Sequence, residues 1–262
     1  MTTTESSTAV TSRVDDGVGV LTLDNARRRN ALSVATMREL TAALRAMGSR
    51  DDVRAIVLRH EGPAFSAGHD LAEMVGADLD DERLVFAVCT ELMAAVHEVP
   101  QPVVAAVTGM AVAAGCQLAA TCDLVVAADS AVFGTPGVRI GLFCSTPMVA
   151  VTRAVGRKRA MQMLLTGDVI SAGTAADWGL VNLVVPAEEV DDTAVALARR
   201  VATASPLTLR VGKAAFYQQV DLSEAEAYEQ MRETMARNAV TCDAQEGMTA
   251  FLEKREPVWQ GR

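Results

Sequence analysis

The stretch Ala64-Phe65-Ser66-Ala67-Gly68-His69-Asp70-Leu71 decides the fold that we predict for this chain. It follows an apolar, β-branched run, Ala55 to Leu58, that is typical of a buried strand. Asp70 is a candidate N-cap, and Glu73 three residues later completes a pattern like a capping box. The backbone N–H groups before this helix are therefore expected to point outward, at the positive end of the helix dipole, where negative charge is favoured.

A second stretch has the same design. Val103 to Val107 is predicted to be a buried strand, and Thr108-Gly109-Met110-Ala111-Val112-Ala113-Ala114-Gly115-Cys116-Gln117 then begins a helix. Two strand-to-helix corners, both lined by small residues, can supply two N–H donors to one oxygen. That arrangement is an oxyanion hole.

Six motifs, taken together and in order, resemble the crotonase superfamily, which is also called the enoyl-CoA hydratase/isomerase family. The resemblance extends from about Val14 to the C-terminus. It implies an acyl-CoA thioester as ligand, with the thioester oxygen held by the N–H groups of His69 and Ala114. Coenzyme A is then part of the substrate, and no separate cofactor is expected. The motifs are Asn30 to Ser33, Phe65 to Leu71, Val107 to Leu118, Cys122 to Leu124, Phe133-Gly134, and Glu246-Gly247-Met248 with Phe251 to Arg255.

The predicted fold class is α/β. A repeated strand–strand–helix order favours a spiral of ββα turns over a doubly wound sheet, but periodicity alone does not separate the two, and the resemblance implies the spiral. From Pro147 onward the pattern is mostly helical, and the C-terminal helices resemble the family's trimerisation region; a simple helical lid is the alternative. We predict a flexible tail over 1–12, a spiral core over 13–200 and a helical region over 201–262.

The composition of the chain limits the kinds of partner that we expect it to bind. The net charge of −9 makes nucleic acid and anionic membranes poor general partners. No apolar run is long enough to span a membrane. The five cysteines show neither CxxC nor metal-ligand spacing, so no metal is expected and a reduced cytoplasm fits best.

The resemblance also identifies candidate coenzyme A contacts. Arg28 or Arg29, in the loop between the first strands and the first helix, lies near the phosphates by resemblance, although such a run is often only a solvated loop. Phe251 and Lys254 match positions that approach coenzyme A, often from a neighbouring subunit of a homotrimer or a hexamer built as a dimer of trimers. The alternative interpretation is that Phe251 and Lys254 belong to an amphipathic terminal helix on which the lysine is simply solvated. The other expected substrate contacts are Ala31, Ala67, Gly68, Asp70, Leu71 and Gly115.

The chain departs from the family at its acid–base residues. Hydratases of the family use two carboxylates near the oxyanion hole for proton transfer. Their positions correspond here to Gln117 and Gly137, and a third position that is acidic in some isomerases corresponds to Ser145. Gln117 can orient a water by hydrogen bonds but cannot accept its proton, and Gly137 has no side chain. The standard hydratase mechanism is therefore not expected.

Two other side chains near the predicted hole are chemically active. His69 is the leading ionisable candidate, with its imidazole facing the acyl group, unless it only fills space at the helix start. Cys144 is a weaker candidate as a proton donor or nucleophile, because its apolar neighbours favour a buried, inert thiol.

Three functions remain open from the sequence. The first is a family enzyme, of the lyase or isomerase type, that stabilises a thioester enolate. The second is decarboxylation of a malonyl-type CoA, which needs no base; Ser66 to Asp70 resembles methylmalonyl-CoA decarboxylases, although those enzymes carry a tyrosine where this chain has Cys144. The third is an acyl-CoA-binding protein without catalysis.

Overall fold

The structure is a computed structural model that describes residues 8–262. Its strands are β1 (Val10–Asp15), β2 (Val18–Leu23), β3 (Ala55–His60), β4 (Ala64–Ser66), β5 (Val103–Val107), β6 (Met110–Val112), β7 (Leu124–Ala128), β8 (Val132–Gly134), β9 (Val169–Ser171) and β10 (Leu183–Val185). Its helices are α1 (Val34–Gly48), α2 (Leu71–Met74), α3 (Leu79–Glu98), α4 (Ala114–Thr121), α5 (Pro147–Val155), α6 (Arg157–Thr166), α7 (Ala172–Trp178), α8 (Val190–Ala202), α9 (Pro206–Gln219), α10 (Glu224–Ala239) and α11 (Cys242–Glu253).

The strands form two sheets whose connectivity is a spiral. The six-stranded sheet has the order β1-β2-β3-β5-β7-β10, and the four-stranded sheet has the order β4-β6-β8-β9. Three consecutive strand pairs, β3–β4, β5–β6 and β7–β8, each place the first strand in the large sheet and the second in the small one. Except for the antiparallel edge pairs β1–β2 and β8–β9, neighbouring strands are parallel. The predicted α/β spiral is confirmed.

The core lies between the large sheet and the helices that cover it. Every residue of β5 is buried, as expected for a parallel strand with both faces covered. In α1, the N-cap Ser33 accepts from Thr36 N–H, and Met37, Leu40 and Leu44 are fully buried. In α3, Val85, Val88 and Leu92 are buried, whereas Leu84 is exposed.

Two predicted domain boundaries differ from the structure. The tail predicted over 1–12 overlaps β1, because Val10, Thr11 and Ser12 pair with β2. Residues 1–7 of that predicted tail lie outside the described residues. The boundary predicted at 200 falls inside α8, a continuous helix whose Val190, Ala194 and Ala198 are buried in the core.

A buried ion pair joins α9 to the core. Lys213 Nζ lies 2.7 Å from Asp123 Oδ2 and also donates to the carbonyl oxygens of Val96 and Gln101, at 2.7 and 2.9 Å. Tyr217, one turn further along α9, donates to Asp123 Oδ1 at 2.7 Å. The lysine is therefore fully paired, as a buried charge requires.

The helices beyond α9 expose many apolar side chains. Tyr228, Met235, Phe251 and Leu252 are each more than two-thirds exposed on this chain. Within 8–262, no helix combines the length and the apolar character needed to cross a membrane.

Candidate active site

The first strand-to-helix corner fixes the direction of the His69 N–H. Leu32 N–H donates to the Gly68 carbonyl at 2.8 Å, and Asp70 N–H donates to the Leu32 carbonyl at 3.4 Å, which forms an isolated parallel bridge. Because residues 68 and 70 use the side facing Leu32, the N–H and carbonyl of His69 face the opposite side. Gly68 has φ +92°, a value that favours glycine.

The second corner is held in an unusual backbone conformation. Ala113 has φ 50° and ψ −120°, and its N–H donates to the Gly134 carbonyl at 2.9 Å. A non-glycine residue in this region is strained, and such strain is concentrated at functional sites. Ala114 is the first residue of α4, so its N–H has no acceptor within the helix.

The two corners are packed directly against each other. A Cβ added at Gly68 would lie 2.8 Å from Ala113 Cβ and 3.2 Å from Ala114 N. A Cβ added at Gly115 would lie 2.3 Å from the Ser66 carbonyl oxygen. Glycine at both positions is therefore required for this close approach, which brings the backbone of His69 and of Ala114 to the wall of one cavity.

That cavity has a volume of about 810 Å³, within the usual range for small-molecule sites. Its lining is mostly apolar. It is lined by Arg27, Arg28 and Ala31 from the loop before α1; by Ala67, His69, Asp70, Leu71, Phe86, Ala113 and Ala114 around the two corners; and by Pro136, Gly137, Arg139, Ile140, Leu142, Phe143, Cys144, Ser145, Thr146 and Pro147.

Most of the predicted site residues lie at this cavity. The structure brings together His69, Ala114, Gly137, Cys144, Arg28, Ala31, Ala67, Asp70 and Leu71. Gly68 and Gly115 lie behind its wall and allow the corners to meet. The cavity of the single chain is not lined by the predicted residues Arg29, Gln117, Phe251 and Lys254.

Gln117, at the position of one absent acid, points toward the neighbouring helix α3. Its side chain is buried in α4, and its Oε1 faces Cys89 Sγ of α3 at 3.8 Å. One helical turn separates it from Ala114, and that turn directs the amide into the contact between α3 and α4. Gln117 therefore does not line the cavity.

The space into which a side chain at Gly137 would project is already filled by other atoms. Leu142 N–H donates to the Gly137 carbonyl at 3.0 Å, which closes the loop after β8. A Cβ at Gly137 would lie 2.1 Å from the Leu142 carbonyl oxygen and 2.8 Å from Cys144 Sγ. The backbone thus excludes any side chain at this position, and the thiol of Cys144 occupies part of the space.

His69 is held as a neutral imidazole. Its ring packs edge-on against Phe86, with 5.3 Å between centroids, and its Nε2 is sealed from solvent without a hydrogen-bond partner. Burial lowers the pKa of His69 to about 4. At neutral pH the side chain therefore carries no charge.

Asp70 lines the cavity but is already paired. Its carboxylate lies 2.8 Å from Arg28 Nη1, and it caps α2 by accepting from Ala72 N–H at 3.2 Å. The capping box predicted with Glu73 is wrong, because Glu73 instead accepts from Val34 N–H at the start of α1. This geometry allows both acidic side chains to hold the corner in place.

Among the cavity residues that sequence reasoning missed, three have charged or aromatic side chains that could contact a ligand. Arg27 is the neighbour of a predicted residue, and Phe86 lies on the cavity side of α3. Arg139, paired with Asp168, comes from the loop after β8. The triple-arginine run was a signal for Arg27, whereas Phe86 and Arg139 occupy no motif.

Two further polar groups at the cavity are the thiol of Cys144 and the hydroxyl of Thr146. Cys144 is buried, and burial raises the pKa of its thiol, partly offset by the Gly137 N–H. Thr146, on the same loop, has a buried Oγ1 without a partner. In residues 8–262 no three His, Cys, Asp or Glu side chains are grouped so that they could hold a metal ion.

The parallel spiral and the cavity with two inward backbone N–H groups define a crotonase-type protein. The family model described as enoyl-CoA hydratase/isomerase matches residues 13–262, and the chain belongs to this family.

Relatives are similar over nearly the whole chain. Enoyl-CoA hydratase domain-containing protein 3, mitochondrial, of Rattus norvegicus is 45% identical over 257 residues, covering 97% of this chain and 86% of the relative. The crystal structure of the human protein of that name has a TM-score of 0.93 and 43% identity, covering 96% of this chain and 100% of the other. A Mycobacterium smegmatis enoyl-CoA hydratase structure gives the same TM-score and identity, covering 96% and 98%.

These comparisons correct one prediction. The vertebrate relatives are named as mitochondrial proteins, in rat, mouse, human and zebrafish. The prediction of a cytoplasmic location is therefore wrong: it was based on cysteine usage, which does not distinguish between reducing compartments.

The crowding at Gly137 gives a stability prediction. We expect Gly137→Ala to destabilise the protein by about 1–3 kcal/mol, because the new methyl group collides with the Leu142 carbonyl. The matched control is Gly212→Ala in α9, where a Cβ meets nothing within 4 Å, and which should be neutral or stabilising by up to about 1 kcal/mol. Urea unfolding measures both; equal stability of the Gly137→Ala variant and the parent chain would contradict the crowded loop.

The pKa of His69 predicts a pH dependence of stability. Since the folded-state pKa is about 4 and lies below the ordinary value of 6.5, the unfolded chain binds the extra proton first. The contribution of the neutral His69 to the free energy of unfolding is therefore complete above pH 6.5 and is lost as the pH falls through about 4. We expect His69→Gln to reduce the loss of unfolding free energy between pH 7 and pH 4, measured by urea unfolding. His60 and His97, whose pKa values burial also lowers, remain in both proteins. If the unfolding free energy of the His69→Gln variant fell by as much between pH 7 and pH 4 as that of the parent chain, a buried, neutral His69 would be contradicted.

Proposed function

We propose that this chain is an acyl-CoA-processing enzyme that stabilises a thioester enolate with the backbone N–H groups of His69 and Ala114. The observation that carries the proposal is the contact between the two corners, which brings both residues to one cavity wall. Within the described residues neither N–H has a backbone acceptor, so both are available to a ligand oxygen.

The two donors act on the carbonyl oxygen of the thioester. As negative charge develops on that oxygen, fixed N–H dipoles in a largely apolar cavity stabilise it without rearrangement. Removing one such donor typically costs about 10²–10³ in rate. The strained backbone of Ala113 supports this role, because it sets the direction of the neighbouring Ala114 N–H.

Addition of water is not favoured by this cavity. Gln117 faces Cys89, Gly137 cannot carry a side chain, and Asp70 is held by Arg28. Loss of a positioned acid–base group typically lowers a rate by about 10²–10⁴. Hydration of an enoyl-CoA is therefore expected to be slow.

Decarboxylation of a malonyl-type CoA is the specific reaction favoured by these observations. When the bond to the departing carboxylate breaks, its electron pair passes to the thioester as an enolate, and CO₂ leaves without any base. The enolate oxygen is held by the two N–H groups, and the α-carbon then takes one proton. This sequence needs the oxyanion hole and a proton donor, but no carboxylate.

The coenzyme A moiety is proposed to bind at the arginine side of the cavity. Arg27 and Arg28 line that side and carry charges that complement phosphates. Phe251 and Lys254 remain proposed contacts from a neighbouring subunit of a trimer or hexamer, consistent with the exposure of Phe251 on this chain.

The proposal is tested by offering purified protein crotonyl-CoA and, separately, methylmalonyl-CoA. We expect release of CO₂ from methylmalonyl-CoA and little hydration of crotonyl-CoA, measured by coupled CO₂ detection and ultraviolet absorbance. Gln117→Glu should gain no hydratase activity, because this side chain faces α3.

Two results would contradict the proposal. Hydration at a usual enzyme rate would mean that a carboxylate acts in the cavity. Turnover of neither compound, together with micromolar binding of both, would identify an acyl-CoA-binding protein. A thioether analogue of the acyl-CoA, which lacks the carbonyl, serves as the binding control and should bind more weakly than the thioester.

A further inference from the structure

The α-carbon of the enolate must receive one proton if the chain has the proposed function, and a group at the cavity must supply it. The cavity lining holds few groups that can supply a proton at neutral pH. Arginine does not release its proton in proteins. His69 is neutral and therefore lacks the imidazolium proton, and Asp70 is held by Arg28.

Cys144 is the lining group that keeps a transferable proton. Burial raises the pKa of its thiol, so the proton stays on sulfur at neutral pH. A thiol is a much stronger acid than the hydroxyl groups of Ser145 and Thr146 on the same loop. It is also a much stronger acid than the α-carbon of a thioester, so transfer from sulfur to an enolate carbon is downhill.

The position of the thiol supports the same role. Its Sγ lies 2.8 Å from where a Cβ at Gly137 would be, the position that corresponds to one of the two acids in hydratases. The loop after β8 therefore excludes a side chain from Gly137 and places the thiol of Cys144 next to the same position.

We propose that Cys144 is the catalytic acid that protonates the α-carbon of the thioester enolate. The S–H bond breaks, its proton forms a C–H bond with the electron pair of the enolate, and the thioester carbonyl is restored. The thiolate is stabilised briefly by the Gly137 N–H and regains a proton from water at the open side of the cavity. The reaction consumes no oxidant or reductant.

The test measures the face of the enolate from which the α-carbon is protonated. Methylmalonyl-CoA is decarboxylated in D₂O, and the single deuterium at the α-carbon of the propionyl-CoA product is assigned to one face or the other. We expect the wild type to give one configuration. Cys144→Ala should still release CO₂ but give an equal mixture, because solvent then protonates the free enolate from both faces.

A matched variant separates chemistry from packing. Cys116→Ala removes a fully buried thiol that does not line the cavity, and it should keep one configuration. Cys144→Val, which fills the space of the thiol without an acidic proton, should behave like Cys144→Ala and covers the case in which the alanine variant does not fold.

The outcomes distinguish this proposal from the proposed function. A single configuration from both Cys144 variants, or a mixture from the wild type or from Cys116→Ala, would overturn the role of Cys144 alone. A folded wild type that releases no CO₂ would overturn the proposed decarboxylation, and the role of Cys144 with it.

Discussion

The close approach of two strand-to-helix corners is the constraint on which the rest of the structure depends. Gly68 and Gly115 have no Cβ, and any side chain at either would meet the opposite corner within 3 Å. The bridge from Leu32 and the strained Ala113 then fix the directions of two neighbouring N–H groups. Without this contact the cavity would have no shared donor pair, and its chemistry would have no electrostatic basis.

The loop after β8 gives the site its particular character. In this chain the loop folds back on Gly137, so the site keeps its donors while the space of an acid is taken by backbone and by Cys144. This arrangement is why we propose chemistry that begins by forming an enolate rather than by activating water. Arg28 and Asp70, which both line the cavity, form an ion pair that ties the arginine loop to the first corner.

Much of the fold, and the meeting of several predicted residues at one cavity, could be predicted from the sequence. The small-residue corners and the cap at Asp70 are local signals, and the structure agrees with them. The direction of Gln117 could not be predicted, because it depends on how α4 packs against α3. Nor could the crowding at Gly137, which arises from the path of a loop that returns five residues later.

The polarised thioester carbonyl is the central claim, and its vibration tests that claim most directly. An acyl-CoA labelled with ¹³C at the carbonyl is bound to the protein, and the isotope-edited infrared difference spectrum is recorded. Two donated hydrogen bonds predict a carbonyl stretch shifted to lower frequency than in water. A bound carbonyl that absorbs at or above its frequency in water would contradict the oxyanion hole.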